Sequence, residues 1–223
     1  MVLNDSQDAQ LDSSRRLLLV DLCGTLYDSN TTYDFLHDYL AKDPAYQRFE
    51  SKYRKIAYRL ANRVLPGDFR RTRAVSYLKG HSRPALLAAA REFLASTSPI
   101  AVVRRRVAEL STNHDRTVLV SSSLDFIVEA ARDILGFDEF RAARLRYSGD
   151  TCEGEFEDDL LGVKHRLIAR EFGHDRCTFI TDNADDAACR DLVDRLIGVA
   201  RADDKRATGF WQRNADELLP YDS

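Results

Sequence analysis

Carboxylates, one hydroxyl and one ammonium stand in this chain where an apolar run gives way to a turn or a helix. Asp21 follows Leu17-Leu18-Leu19-Val20 and opens Asp21-Leu22-Cys23-Gly24-Thr25-Leu26. Ser121 follows Thr117-Val118-Leu119-Val120. Lys164 sits near the start of an amphipathic stretch, and Asp182 and Asp186 follow Cys177-Thr178-Phe179-Ile180-Thr181. Carboxylates at neighbouring strand ends make a hard oxygen site suited to Mg²⁺. A hydroxyl and an ammonium beside them supply donors to phosphoryl oxygens, and a carboxylate can attack phosphorus as a covalent nucleophile. Taken singly, each residue has a plain structural role: Asp21 a turn former, Ser121 a helix cap, Lys164 a surface charge, Asp182 to Asp186 an acidic turn. Their joint order along the chain is what gives the chemical reading weight.

The elements that must carry these residues follow from local pattern. Four consecutive apolar residues bounded by turn residues read as a buried parallel strand, placed at 15–21. Ligands of open α/β sheets sit just beyond the carboxyl ends of such strands, where Asp21 falls. Tyr46, Phe49, Tyr53, Ile56, Leu60 and Val64 recur at spacings of three and four and predict one helix face, ended by Pro66-Gly67. Gly80 and Pro84 mark another break, so about three or four helices lie between the first strand and residue 100. A helix over about 101–113 precedes the second strand, and Ser123 is placed as the N-cap of the helix ending near Leu135-Gly136. Residues 143–157 alternate around Ser148-Gly149-Asp150 and predict a β-hairpin. A helix over about 162–172 holds Lys164. The strand at 177–180, a further helix and the run Leu196-Ile197-Gly198-Val199 complete the alternation, which implies a doubly wound parallel sheet.

The chain has 223 residues, 44% hydrophobic and 31% charged, as expected of an ordinary globular protein with one α/β core and an insertion. No apolar run approaches a membrane span, and the first sixteen residues hold no apolar core of a signal peptide. The four cysteines, Cys23, Cys152, Cys177 and Cys189, are scattered, which fits a reducing, cytoplasmic setting without structural zinc. Net charge is −3, yet residues 31–100 hold 13 Lys and Arg against 6 Asp and Glu. That local excess suggests a subregion facing an anion. No aromatic-basic module accompanies it, which argues against a nucleic-acid partner.

With these motifs in place, the chain resembles the haloacid dehalogenase superfamily, in its phosphoserine-phosphatase-like branch with a helical cap. Asp21-Leu22-Cys23-Gly24-Thr25-Leu26 is similar to the first motif, Asp-x-Asp-Gly-Thr-Leu, and Val120-Ser121-Ser122-Ser123 to the second. Lys164 stands where the third motif's lysine is expected, and Thr181-Asp182-Asn183-Ala184-Asp185-Asp186 resembles the fourth, Gly-Asp-Ser-x-x-Asp. The likeness runs from about Leu17 to Val199. It implies a Rossmann-like α/β core over 15–28 and 101–223 and a helical cap over 29–100; residues 1–14, ahead of the first strand, are expected to form a flexible tail.

The resemblance also implies roles. Asp21 is the expected nucleophile, forming an aspartyl-phosphate and binding Mg²⁺; Asp182 is a second metal ligand. The backbone carbonyl of Cys23 is a further ligand, and Asp186 joins this metal group by orienting its water or Lys164. Ser121, Ser122 and Lys164 hold the phosphoryl oxygens, and Thr25 hydrogen-bonds within its loop. The chain departs from the family at Cys23, where the usual residue is an Asp acting as general acid and base. A thiol, with an ordinary pKa of about 8.5, is a poor donor for that task. The expected function is therefore a Mg²⁺-dependent phosphohydrolase acting on a small anionic phosphomonoester, with atypical activity. Phosphoryl transfer to another acceptor is one alternative, and a weakened binder of a phosphometabolite or a partner protein another. A receiver domain groups similar residues but has no helical insertion of this size. The substrate and the oligomeric state are not written in the sequence.

Overall fold

The computed structural model describes residues 14–53 and 68–222. The expected helix-face residues Ile56, Leu60 and Val64, the break at Pro66-Gly67 and nearly all of the expected tail lie outside them.

β1 (Arg16–Val20) is the centre of a seven-stranded sheet ordered β4-β3-β2-β1-β5-β6-β7. The other strands are β2 (Arg116–Leu124), β3 (Glu139–Ser148), β4 (Thr151–Asp158), β5 (Arg176–Thr181), β6 (Arg195–Arg201) and β7 (Glu217–Tyr221). All neighbours are parallel except the antiparallel β3–β4 pair, so the doubly wound α/β class holds. The apolar run of β1 is explained by its two covered faces. Leu18 and Val20 pack into one buried cluster, Leu17 and Leu19 into the other, and all four are at most 1% exposed. Removing such a side chain from water is worth about 1.5–3 kcal/mol.

Among the described residues between β1 and residue 100 lie α1 (Thr31–Tyr39), α2 (Pro44–Tyr53), α3 (Phe69–Val75) and α4 (Arg83–Ala95), with a 3₁₀ turn at Ser76–Leu78. Asn30, Asp68 and Ser82 cap α1, α3 and α4 with side-chain oxygens. The expected stripe is buried at Tyr46 and Phe49, which meet Tyr77 ring to ring. Then come α5 (Ala101–Ser111), α6 (Asp125–Leu135), α7 (Lys164–Phe172) and α8 (Lys205–Asn214).

One expectation is corrected, and two elements are sharpened. Ser123 is not a helix cap: β2 runs on through Ser121-Ser122-Ser123 to Leu124, α6 starts without a side-chain cap, and the Ser123 hydroxyl turns to Thr32 instead. Pairing with β3 at Val120–Arg141 and again at Leu124–Ala143 brackets the three serines, which lie in the register shift between. The segment after β5 is a 3₁₀ helix, Ala184–Leu192, and Asn183 accepts from Asp185 N–H at its start. α8 and β7 complete the core past Val199, the last strand named from the sequence.

Candidate active site

The carboxyl ends of β1, β2 and β5 lie side by side, because Val20 pairs with Leu119 on one flank and Ile180 on the other. That register alone brings Asp21, Ser121 and Asp182 to one edge. They line a cavity of about 230 Å³ together with Cys23, Ser122 and Lys164. The site residues expected from sequence are therefore gathered, except Asp186, which stands behind the lysine.

Lys164, the first residue of α7, is 2% exposed and donates to Asp21 Oδ2 and to Asp186 Oδ2, the latter at 2.8 Å. Asp186 Oδ2 also accepts from the Thr181 hydroxyl at 2.7 Å, so its position is set by β5. Burial alone would lower the lysine's pKa; the two carboxylates override it and push it above the ordinary value, so the ammonium keeps its proton. Burial pushes Asp21 up, and Lys164 pulls it back. Its Oδ1 accepts from Leu22 N–H at 2.7 Å, and its own N–H is spent on the Ile180 carbonyl.

Asp182 follows β5 and is held by the Gly24-Thr25 turn. The Thr25 hydroxyl donates to Asp182 Oδ1 at 2.8 Å and accepts from Asp182 N–H at 2.9 Å. Gly24 adopts φ +67°, and a Cβ there would fall 2.2 Å from Asp182 Oδ2. The glycine is thus required both for its left-handed backbone and for this approach. Burial, then the charge of Asp21, pushes Asp182 up to about 7. Asp21 and Asp186 thus share the Lys164 ammonium, while Asp182 is held by Thr25 and feels the charge of Asp21. Among the described residues no three His, Cys, Asp or Glu side chains group as metal ligands. Two carboxylates remain an adequate protein share for Mg²⁺, which keeps several waters.

Cys23 is half-buried. Its Sγ hydrogen-bonds with Thr31 Oγ1 at 2.8 Å and Ser123 Oγ at 3.1 Å, and those two hydroxyls bond each other. Burial first, then Asp21, pushes the thiol's pKa up. Ser121 is fully buried, with its Oγ accepting from Ser123 N–H at 3.2 Å. The Ser122 Oγ is buried without a partner, a free donor in a cavity that already holds Lys164.

The opposite wall comes from the helical segment: Asn30, Thr32, Tyr33, Asp68 and Arg71. Arg71 is 5% exposed, makes two bonds to Asp159 at 3.0 and 3.1 Å, and donates to the Ser122 carbonyl. Tyr33 donates to Asp68 at 3.2 Å. Sequence reading missed these residues. Its one usable signal was the basic excess over 31–100, which does not say which arginine turns inward.

Residues 18–190 match the family described as haloacid dehalogenase-like hydrolase. Comparison with curated protein sequences finds no match. Among solved structures, a protein of unknown function from Bordetella pertussis Tohama I is 20% identical, with a TM-score of 0.72 over 93% of this chain and 99% of that one. A phosphoserine phosphatase captured as a phospho-aspartyl intermediate analogue is 19% identical, with a TM-score of 0.60 over 94% and 96%. Cytosolic 5'-nucleotidase IIIB bound to cytidine is 12% identical, with a TM-score of 0.66 over 96% and 83%. At these identities the likeness speaks for the fold.

Proposed function

The chain belongs to the haloacid dehalogenase-like hydrolase family, and from that premise we propose that it is a Mg²⁺-dependent phosphohydrolase for a small phosphomonoester. The observation that carries the reading is the Asp21–Lys164–Asp186 arrangement beside Asp182, on one cavity with two serines. Asp21 is the nucleophile: its Oδ attacks phosphorus, the bond to the leaving oxygen breaks, and an aspartyl-phosphate forms. Lys164 and the hydroxyls of Ser121 and Ser122, all on the cavity, meet the phosphoryl oxygens. Asp21, Asp182 and the Cys23 carbonyl are the residues that would hold Mg²⁺. When bound, the ion supplies charge compensation between the carboxylate nucleophile and a dianionic substrate. Asp186 holds Lys164 and is the outermost of this group. The helices over 29–100 act as the cap that closes the cavity, and Arg71 faces the substrate side.

Cys23 supports a narrower statement. Its thiol is engaged by Thr31 and Ser123, and its raised pKa keeps it a weak acid. Losing a positioned general acid-base costs on the order of 10²–10⁴ in rate. The enzyme therefore handles esters with good leaving groups, or passes the phosphoryl group to an acceptor other than water.

The test is a panel of alkyl phosphates and one activated aryl phosphate assayed with Mg²⁺. Wild type is expected to turn over the aryl ester, Asp21→Asn to be inactive, and Cys23→Asp to gain activity on alkyl esters. If wild type and Cys23→Asp are both inactive while inorganic phosphate binds, the phosphohydrolase reading gives way to a phosphometabolite-binding role.

A further inference from the structure

Asp182 is fixed from two sides by the Gly24-Thr25 turn, but its backbone carbonyl has a partner far outside the motifs. Trp211 of α8 donates its indole N–H to the Asp182 carbonyl at 3.1 Å. The ring is 1% exposed and lies against β6, where a Cβ on Gly198 would fall 2.5 Å from its Cγ and Cδ2. Glycine at 198 is thus what lets so large a side chain reach across to the end of β5. The carbonyl it holds belongs to the residue between the last strand position, Thr181, and the start of the 3₁₀ helix at Ala184. The chain leaves the sheet there, so β-ladder bonds no longer fix that peptide.

We infer that Trp211 is a positioning residue for Asp182: by clamping its carbonyl, the indole sets the backbone from which the carboxylate is aimed at the cation. This inference rests on the reading of Asp182 as a Mg²⁺ ligand. Outer partners that orient a ligand typically change metal affinity on the order of 10–100-fold when removed. Trp211 reaches the main chain of the ligand residue, so an effect of about tenfold, the lower end of that range, is expected. The chain contains a single Trp, so its emission reports on this one contact.

The experiment is calorimetric Mg²⁺ titration of the full-length protein, with three variants. Trp211→Phe removes the N–H and part of the ring. Benzothienylalanine at position 211 keeps the bicyclic shape and removes only the N–H, which guards against a Phe variant that fails to fold. Asp182→Asn removes the ligand. Both Trp211 variants should bind Mg²⁺ about tenfold more weakly, with the benzothienyl protein melting close to wild type. Wild-type Trp emission should change saturably over the same Mg²⁺ range, and Asp182→Asn should abolish that change. Unaltered Mg²⁺ affinity in the benzothienyl protein overturns the positioning role and leaves the reading of Asp182 intact. Wild-type binding that survives Asp182→Asn undiminished overturns both.

Discussion

Lys164 shows how much of the site hangs on one side chain. It is buried between Asp21 and Asp186, whose side chains are nearly as buried as its own. Breaking a buried ion pair from one side costs about 3–5 kcal/mol, because the remaining charge stays uncompensated. Lys164→Met should therefore lower stability by about that amount in urea unfolding, and added Mg²⁺ should restore part of it. At this scale the sequence was informative wherever a polar residue broke an apolar run, as at Asp21, Ser121 and Asp182. It was silent where the same residue type serves two purposes. Ser123 looked like a cap, whereas the fold turns its hydroxyl to Cys23 and Thr31. Arg71 is one basic residue among many over 31–100, and only the fold turns it into the cavity.

The elements hold these residues through their ends. Asp138, just before β3, accepts from the Thr117 N–H and hydroxyl, each at 2.8 Å, which ties the start of β3 to β2. The Thr117 backbone and then its side chain hold the Asp138 carboxyl below the usual range. The folded protein thus releases this proton more readily than the unfolded chain. The resulting stabilisation is present above the ordinary aspartate pKa of about 3.9 and is lost as pH falls through the lower folded value. Asp138→Asn should lower the melting temperature near neutral pH, and the difference from wild type should shrink on acidification below about 4. Strands were legible from their apolar runs, since β1, β2 and β5 are covered on both faces. The helix expected after β5 is a 3₁₀ helix, in which Asn183 starts a tight turn that brings Asp186 back to Lys164. α8 and β7 went unread, and with them the indole that reaches Asp182.

At the scale of the whole molecule, charge and topology divide the labour. The strand ends bring Asp21 and Asp182 to the cavity, the inserted helices line it with Arg71 and Asp68, and residues 31–100 carry a basic excess in sequence. On the proposed function that excess would steer an anionic substrate, an effect screened by salt over about 10 Å at 0.1 M. kcat/KM for a dianionic aryl phosphate should fall as ionic strength rises, with kcat nearly constant; an unchanged kcat/KM would remove steering from the account. The doubly wound class and the chain order of the site were legible because strands and motifs alternate along the sequence. The wall opposite the sheet was not, since it forms only when separate helices converge. The central claim concerns one atom in the entire chain, the Oδ of Asp21 that receives phosphorus. Its most direct test is to quench the enzyme during turnover of an aryl phosphate in acid and map phosphorylated peptides by mass spectrometry. A single phosphoryl group on Asp21, absent in Asp21→Asn, is the predicted result; phosphate on any other residue, or steady turnover by Asp21→Asn, contradicts it.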